Sequence, residues 1–264
     1  MSNRRHTQTT GLRHRVRDRA KPPLVIVPIT LAEPAIVEIA GFAGAEAVLL
    51  DCEHGFLNEE TVRSMLAHAR SAGTAAVFRP RSFDAAACRQ ALDAGAAGVH
   101  VSHVDTEEEA RAVVEACRYA PLGRREMSLG RAIEYDVTNI PSYVEHANES
   151  ELLVVMIESM KAVENAEKIA AVEGIDVIHI GVADLSHEMG LGVTATHPRV
   201  IAAVDRVLAA AKPHGVAVGF PTDDPKQVEE FAAKGVRYFE ATTPDYLLRE
   251  TYAARLAALR KCWR

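Results

Sequence analysis

Five short polar groups interrupt apolar runs and carry the chemistry available to this chain: Asp51-Cys52-Glu53-His54-Gly55, Arg79, Ser102-His103, Glu158-Ser159 and Gly181-Val182-Ala183-Asp184. Together they supply carboxylates, imidazoles and a guanidinium. Glu158 and Asp184 close consecutive apolar runs, so their carboxylates could converge on one divalent cation. Two carboxylates plus waters suit a hard Mg2+ or Mn2+ that keeps open positions for substrate oxygens. The same acids could instead cap the helices that follow them, and spacing alone leaves both readings open. In the cluster Asp51, Glu53 and His54, an acid can orient an imidazole as a general base; a hydrogen-bonded surface turn is the plainer alternative. Arg79, after Val77-Phe78 and before Pro80, is costly to bury unless paired. It could clamp a carboxylate or stabilise an oxyanion, or pair with the neighbouring acids.

Each group follows a run that reads as a strand. Strands are expected at Leu24–Ile29, Ala47–Asp51, Ala75–Arg79, Gly98–Val101, Leu152–Ile157, Val177–Ile180, Val216–Gly219 and Val236–Glu240. They are apolar throughout rather than alternating, as strands covered on both faces are. Helical spacing lies between them, at Ile36/Ile39/Ala40 and at Val62/Met65/Leu66/Ala69, the latter capped by Asn58. Thr106 followed by three glutamates reads as a capping signature. Further helices follow His197-Pro198, run from Pro225 through Phe231, and run from Asp245 to Leu259.

Eight strand–helix units in about 240 residues predict an α/β fold of the (β/α)8 TIM-barrel type, in which chemistry gathers at the C-terminal strand ends. An open doubly wound sheet is the alternative, but Thr30-Leu31-Ala32-Glu33-Pro34 after the first strand lacks a glycine fingerprint. The stretch Leu122–Pro141 has no place in this rhythm, which marks it as a functional or interface loop.

Composition supports a soluble globular protein: 264 residues, 48% hydrophobic and 25% charged. The charge is uneven. Residues 1–22 form a basic leader with seven Lys/Arg against Asp18 alone, whereas the remaining chain is acidic. Such a leader can be a transit peptide or a nucleic-acid arm; a short helix over Gly11–Lys21, stopped by Pro22-Pro23, is the reading preferred. An acidic body over residues 23–264, read as one barrel domain, argues against a nucleic-acid partner. No apolar run reaches the ~18 residues of a membrane span. The unpaired spacing of Cys52, Cys88, Cys117 and Cys262 favours neither zinc nor disulfides. A reducing cytoplasm is therefore expected.

At its polar groups the chain resembles the HpcH/HpaI family of metal-dependent pyruvate aldolases. The matching segments are Ala47–Gly55, Leu92–Gly98, Thr106–Arg111, Met156–Ser159, Ala171–Asp176 and Ala183–Ser186. Each is weak alone, but their order and spacing are specific. The resemblance implies that Glu158 and Asp184 hold a divalent cation (Mg2+, Mn2+ or Co2+), that His54 helped by Asp51 is the base, and that Arg79 steadies the pyruvate enolate. Backbone near Ala183 and Asp184 would face the substrate carboxylate. It further implies a 2-oxo acid and an aldehyde as the small-molecule partners, and a homohexamer that exchanges C-terminal helices. The stripe Tyr246, Leu247, Leu248, Tyr252, Leu256 and Leu259 would lie at that contact, unless it closes the barrel of its own chain.

The chain departs from the family pattern at Met156, usually Gln, and at Ser102 and Val182, usually Pro. Residues Arg124–Arg131 also depart. These departures point to retained enolate chemistry with an altered acceptor, and Met156 taken alone favours a bulkier or less polar partner. His100 and His103 have no counterpart in the pattern. His103 could add a metal ligand or bind the acceptor, while His179 reads as a packed core residue. A decarboxylase, or a lyase for a coenzyme A thioester using Arg124, Arg125 and Arg131, is the second enzyme reading. A scaffold using the basic leader is the non-enzyme reading.

Overall fold

The eight apolar runs become eight parallel strands because both of their faces find apolar partners. The computed structural model describes residues 11–263. Its strands are β1 (Leu24–Ile29), β2 (Ala47–Asp51), β3 (Ala75–Arg79), β4 (Gly98–Val101), β5 (Leu152–Ile157), β6 (Val177–Ile180), β7 (Ala217–Pro221) and β8 (Val236–Glu240). They close in sequence order into a barrel, β8 pairing back onto β1. Successive side chains point inward and outward. Leu24, Ile26, Leu49, Val77, Val154 and Tyr238 fill the interior, while Leu50, Val101 and Ile157 pack under the surrounding helices with Val204 and Phe231.

The helices are α1 (Leu12–Arg17), α2 (Pro34–Phe42), α3 (Glu59–Ala72), α4 (Ala85–Asp93), α5 (Glu107–Cys117), α6 (Ile140–Ser150), α7 (Met160–Glu164), α8 (Ala166–Ala170), α9 (Val182–Glu188), α10 (Pro198–Ala211), α11 (Pro225–Lys234) and α12 (Pro244–Arg260). Asn58 caps α3 by accepting from the Thr61 N–H, and Thr106 and Glu109 complete a capping box on α5. One strand boundary differs from expectation. β7 starts one residue later and runs on to Pro221, because Phe220 and Pro221 pair with Phe239 and Glu240 beyond an irregularity at Val218/Gly219.

The leader helix is shorter than expected. α1 drops Leu12 and Val16 into the interior cluster, and its basic residues are engaged with the body. Arg15 forms a bidentate pair with Glu46, and Arg17 reaches Asp176 at 2.8 Å, where the buried Arg118 also binds. Residues 1–10 of the leader lie outside the described residues.

Leu122–Pro141 holds two 3-10 turns and leads into α6. Arg125 is buried there, donating to Asp93, Glu151 and the Tyr143 hydroxyl, each at 2.8 Å. That engagement removes the central arginine from the basic groove a coenzyme A substrate would need. In α12 only Pro244 is buried, and Tyr246, Leu247, Leu248, Tyr252, Leu256 and Leu259 are all exposed. The stripe does not close its own barrel. Among the described residues, no helix is long and apolar enough to cross a membrane.

Candidate active site

Parallel register places the polar groups side by side at the C-terminal mouth. Asp51 and Arg79 are register partners at the ends of β2 and β3. Both are buried, and they form a bidentate pair: Arg79 Nε donates to Asp51 Oδ1 at 2.9 Å and Nη2 to Oδ2 at 2.5 Å. Burial works against both charges. The mutual pair outweighs it, holding the Asp51 carboxyl below the usual carboxylate range and raising the Arg79 guanidinium.

Asp51 also accepts the backbone N–H groups of Glu53 (2.9 Å) and His54 (3.2 Å). Asp51 therefore fixes the backbone of the loop that carries His54. The His54 ring is 65% exposed, its Nε2 3.7 Å from Glu53 Oε2. Cys52 in the same loop is no nucleophile, because burial pushes its thiol up to about 11.

Glu53, which the sequence marked only as a member of the Asp51–His54 cluster, is the hub of the mouth. It accepts the Ser102 hydroxyl at 2.6 Å, lies 3.5 Å from Arg79 Nε, and stands 3.2 Å from His103 Nε2. His103 in turn places Nδ1 2.9 Å from Glu158 Oε1 and donates its backbone N–H to the same oxygen at 2.7 Å. The His103 backbone is left-handed, with φ 57°, a conformation that few non-glycine residues adopt. Its ring bridges two carboxylates from different strand ends and remains 67% exposed.

Glu158 follows β5 and is buried, whereas Asp184 and Ala183 are exposed in the first turn of α9. Burial raises the Glu158 carboxyl, the His103 backbone N–H eases it, and the charges of Glu53 and Asp184 raise it further. Gly181 makes room for this residue, since a Cβ there would meet Glu158 Cβ at 2.8 Å and Met156 Cε at 2.6 Å. Met156 is buried with its sulfur 3.7 Å from the Ser102 hydroxyl, and Val182 is buried.

Among the described residues, no group of three or more His, Cys, Asp or Glu forms a ready-made metal cage. Glu158 and Asp184 still fit a hard divalent cation. Both offer carboxylate oxygens, the charge of Asp184 helps raise the Glu158 carboxyl, and two protein ligands leave positions open for substrate.

Glu240 is a residue of the mouth that sequence reasoning missed. It ends β8 and its charge bears on Arg79, Asp51, Glu53 and His54. A charged residue closing an apolar strand was the available signal, the same one that marked Asp51 and Arg79.

A closed (β/α)8 barrel whose strand ends converge acids, imidazoles and one buried guanidinium is the architecture of a barrel enzyme. Residues 26–243 match the model of the HpcH/HpaI aldolase/citrate lyase family, and the chain belongs to that family. It is 35% identical to the 2-keto-3-deoxy-L-rhamnonate aldolase of Salmonella paratyphi B over 224 residues, covering 84% of this chain and 83% of that one. The HpcH/HpaI aldolase of Desulfitobacterium hafniense superposes with a TM-score of 0.86 at 27% identity, covering 91% and 94% of the two chains. Macrophomate synthase superposes with a TM-score of 0.83 at 27% identity, covering 97% and 92%. Its relatives are named aldolases, so the chain is an enzyme of a lyase family.

Proposed function

We propose that this enzyme is a divalent-metal aldolase that cleaves or forms a 4-hydroxy-2-oxo acid, with pyruvate or a close 2-oxo acid as the enolate component. The observation that carries the reading is the surplus of carboxylates at the mouth. Asp51, Glu53 and Glu240 act on the buried Arg79, while Glu53 and Asp184 act on Glu158, so five acids crowd around one buried guanidinium. Such a site calls for a cation. The aldolases of 2-keto-3-deoxy-L-rhamnonate support the substrate class, because that acid has its oxo group at C2 and a hydroxyl at C4.

Glu158 and Asp184 would hold the cation, which when bound supplies Lewis acidity to the 2-oxo acid. Arg79, fixed by Asp51, presents positive charge to the oxygen on which the enolate develops. In the cleavage direction His54 takes the C4 hydroxyl proton as the C3–C4 bond breaks. The aldehyde leaves, the bonding electrons pass into the enolate, and His54 returns a proton to C3 to give the methyl group. Ala183, in the first turn of α9, would face the substrate carboxylate, and Ser102 and His103 hold Glu53 and Glu158 in place. No Schiff-base lysine is required, and none of the eight strands carries one. The exposed stripe of α12 packs against a second copy in a homo-oligomer, with the hexamer of the family as the expected form.

Exhaustive chelation should abolish aldol cleavage, and Mg2+, Mn2+ or Co2+ should restore it. Full activity after chelation, or trapping of pyruvate on a lysine by borohydride, would sink this mechanism.

A further inference from the structure

Below the mouth, the barrel interior is polar where a packed apolar layer is the rule. His100 on β4, His179 on β6, and Tyr238 and Glu240 on β8 come from alternate strands, the arrangement that brings side chains into one interior layer. The His100 and His179 rings meet edge to face at 5.1 Å, with Tyr238 at 6.1 and 5.6 Å from them. Gly219 on β7 leaves them space, since a Cβ there would lie 2.6 Å from His179 Nδ1 and 2.8 Å from a Tyr238 ring carbon.

The Tyr238 hydroxyl lies 3.4 Å from His100 Nδ1. His100 Nε2, both nitrogens of His179 and Glu240 Oε2 are buried without a hydrogen-bond partner. Buried polar atoms are normally satisfied because leaving them bare is costly. Four of them on one floor, under a substrate site, point to a ligand that supplies polar groups.

Glu240 links this floor to the mouth. Its Oε2 stands 3.5 Å above His179 Nε2, while the side chain keeps 13% of its surface open. We propose that Glu240, backed by His179, is a specificity-determining residue that accepts a hydrogen bond from a hydroxyl group of the aldehyde fragment. This assignment rests on the aldolase reading above and adds the acceptor class to it. Burial pushes the Glu240 carboxyl up against the pull of Arg79, and a carboxyl oxygen accepts a hydrogen bond in either protonation state. With Asp51 and Glu53 nearby, the same corner disfavours an aldehyde that carries its own carboxylate. Met156 makes only the β5 side of the pocket apolar. The β8 side therefore reverses the less polar partner that Met156 alone suggests.

The test uses the metal-loaded full chain with pyruvate and three aldehydes: glyceraldehyde, propionaldehyde and succinic semialdehyde. The parent protein should prefer glyceraldehyde in kcat/KM. Glu240→Ala should cut the glyceraldehyde-to-propionaldehyde ratio by about 10-fold, the scale of one strong hydrogen bond. Glu240→Gln, whose amide oxygen still accepts, should keep most of it. Should the alanine variant not fold, Glu240→Met preserves length without an acceptor.

An unchanged ratio in a folded variant overturns the subsite, as does a parent preference for propionaldehyde or succinic semialdehyde. A glutamine variant as impaired as alanine overturns the acceptor role. Deuterium exchange into the pyruvate methyl by the parent protein reads enolate chemistry with no aldehyde present. Exchange with an unchanged ratio removes the subsite alone, whereas absent exchange removes the aldolase reading and the subsite with it.

Discussion

The buried histidines of the barrel floor should make this protein acid-sensitive by an amount that one substitution isolates. Burial, with Arg79 above adding to it, lowers His179 from 6.5 to about 3, and His100 is lowered in the same way. The 3.5 Å approach of His179 to Glu240 would be an ion pair only if both were charged. Burial keeps His179 uncharged at neutral pH, so the approach is not an ion pair. The unfolded chain takes up a proton on His179 as pH falls through 6.5, but the folded chain does not until about pH 3. Stability from this group is therefore complete above 6.5 and is lost progressively as pH falls from 6.5 towards 3. At about 1.4 kcal/mol for each pH unit, acidification from about pH 7 to 5 should cost about 2 kcal/mol through His179 alone. Glu240, raised by burial, works in the opposite sense but is present in both proteins compared. Urea unfolding at both pH values, at fixed protein concentration, should show the parent losing about 2 kcal/mol more than His179→Phe. Equal losses would refute the claim that His179 is buried uncharged.

Three further outcomes are expected. His54→Ala should lower turnover by roughly 10²–10⁴ with metal affinity by calorimetry preserved, whereas Glu158→Ala should lose the cation; the same metal loss in both would refute this division of roles. Asp51→Ala leaves Arg79 buried without its bidentate partner, and urea unfolding should show a loss of about 3–5 kcal/mol, so an unchanged stability would mean that Arg79 finds another partner. Truncation before Pro244 should dissociate the oligomer in light scattering, and a parent protein that is already monomeric would reject the α12 contact.

The strands were legible because parallel strands covered on both faces leave unbroken apolar runs, and seven of the eight keep the expected limits. The end of β7 was not, since Pro221 looks like a breaker in sequence and extends the ladder only because Glu240 lies beside it. α6 was hidden for a related reason: Pro141 sits in its first turn, where proline is tolerated, but it reads as a stop when the preceding stretch has no pattern. In the site, strand ends revealed Asp51, Arg79, Ser102, Glu158 and Asp184. What they could not reveal was who holds whom. Asp51 takes Arg79 and the loop backbone, and leaves the His54 ring to Glu53. The importance of Glu53 arises from partners at the ends of two other strands, β3 and β4, and no local pattern records that.

The charges at the mouth are graded by depth, and the grading separates two kinds of work. Asp51 and Arg79 lie deepest, paired at two points and held by backbone donors, so neither can turn without exposing an uncompensated charge. Glu53 and Glu158 lie above them, mostly covered but still acting on several neighbours. His54 and His103 stand highest, about two-thirds exposed, where an imidazole can exchange protons with solvent between turnovers. A group that must stay fixed while negative charge develops belongs at the bottom. A group that must gain and lose a proton each cycle belongs at the top. Substitutions at the lower level should therefore cost stability and rate together, whereas those at His54 should cost rate with little change in stability.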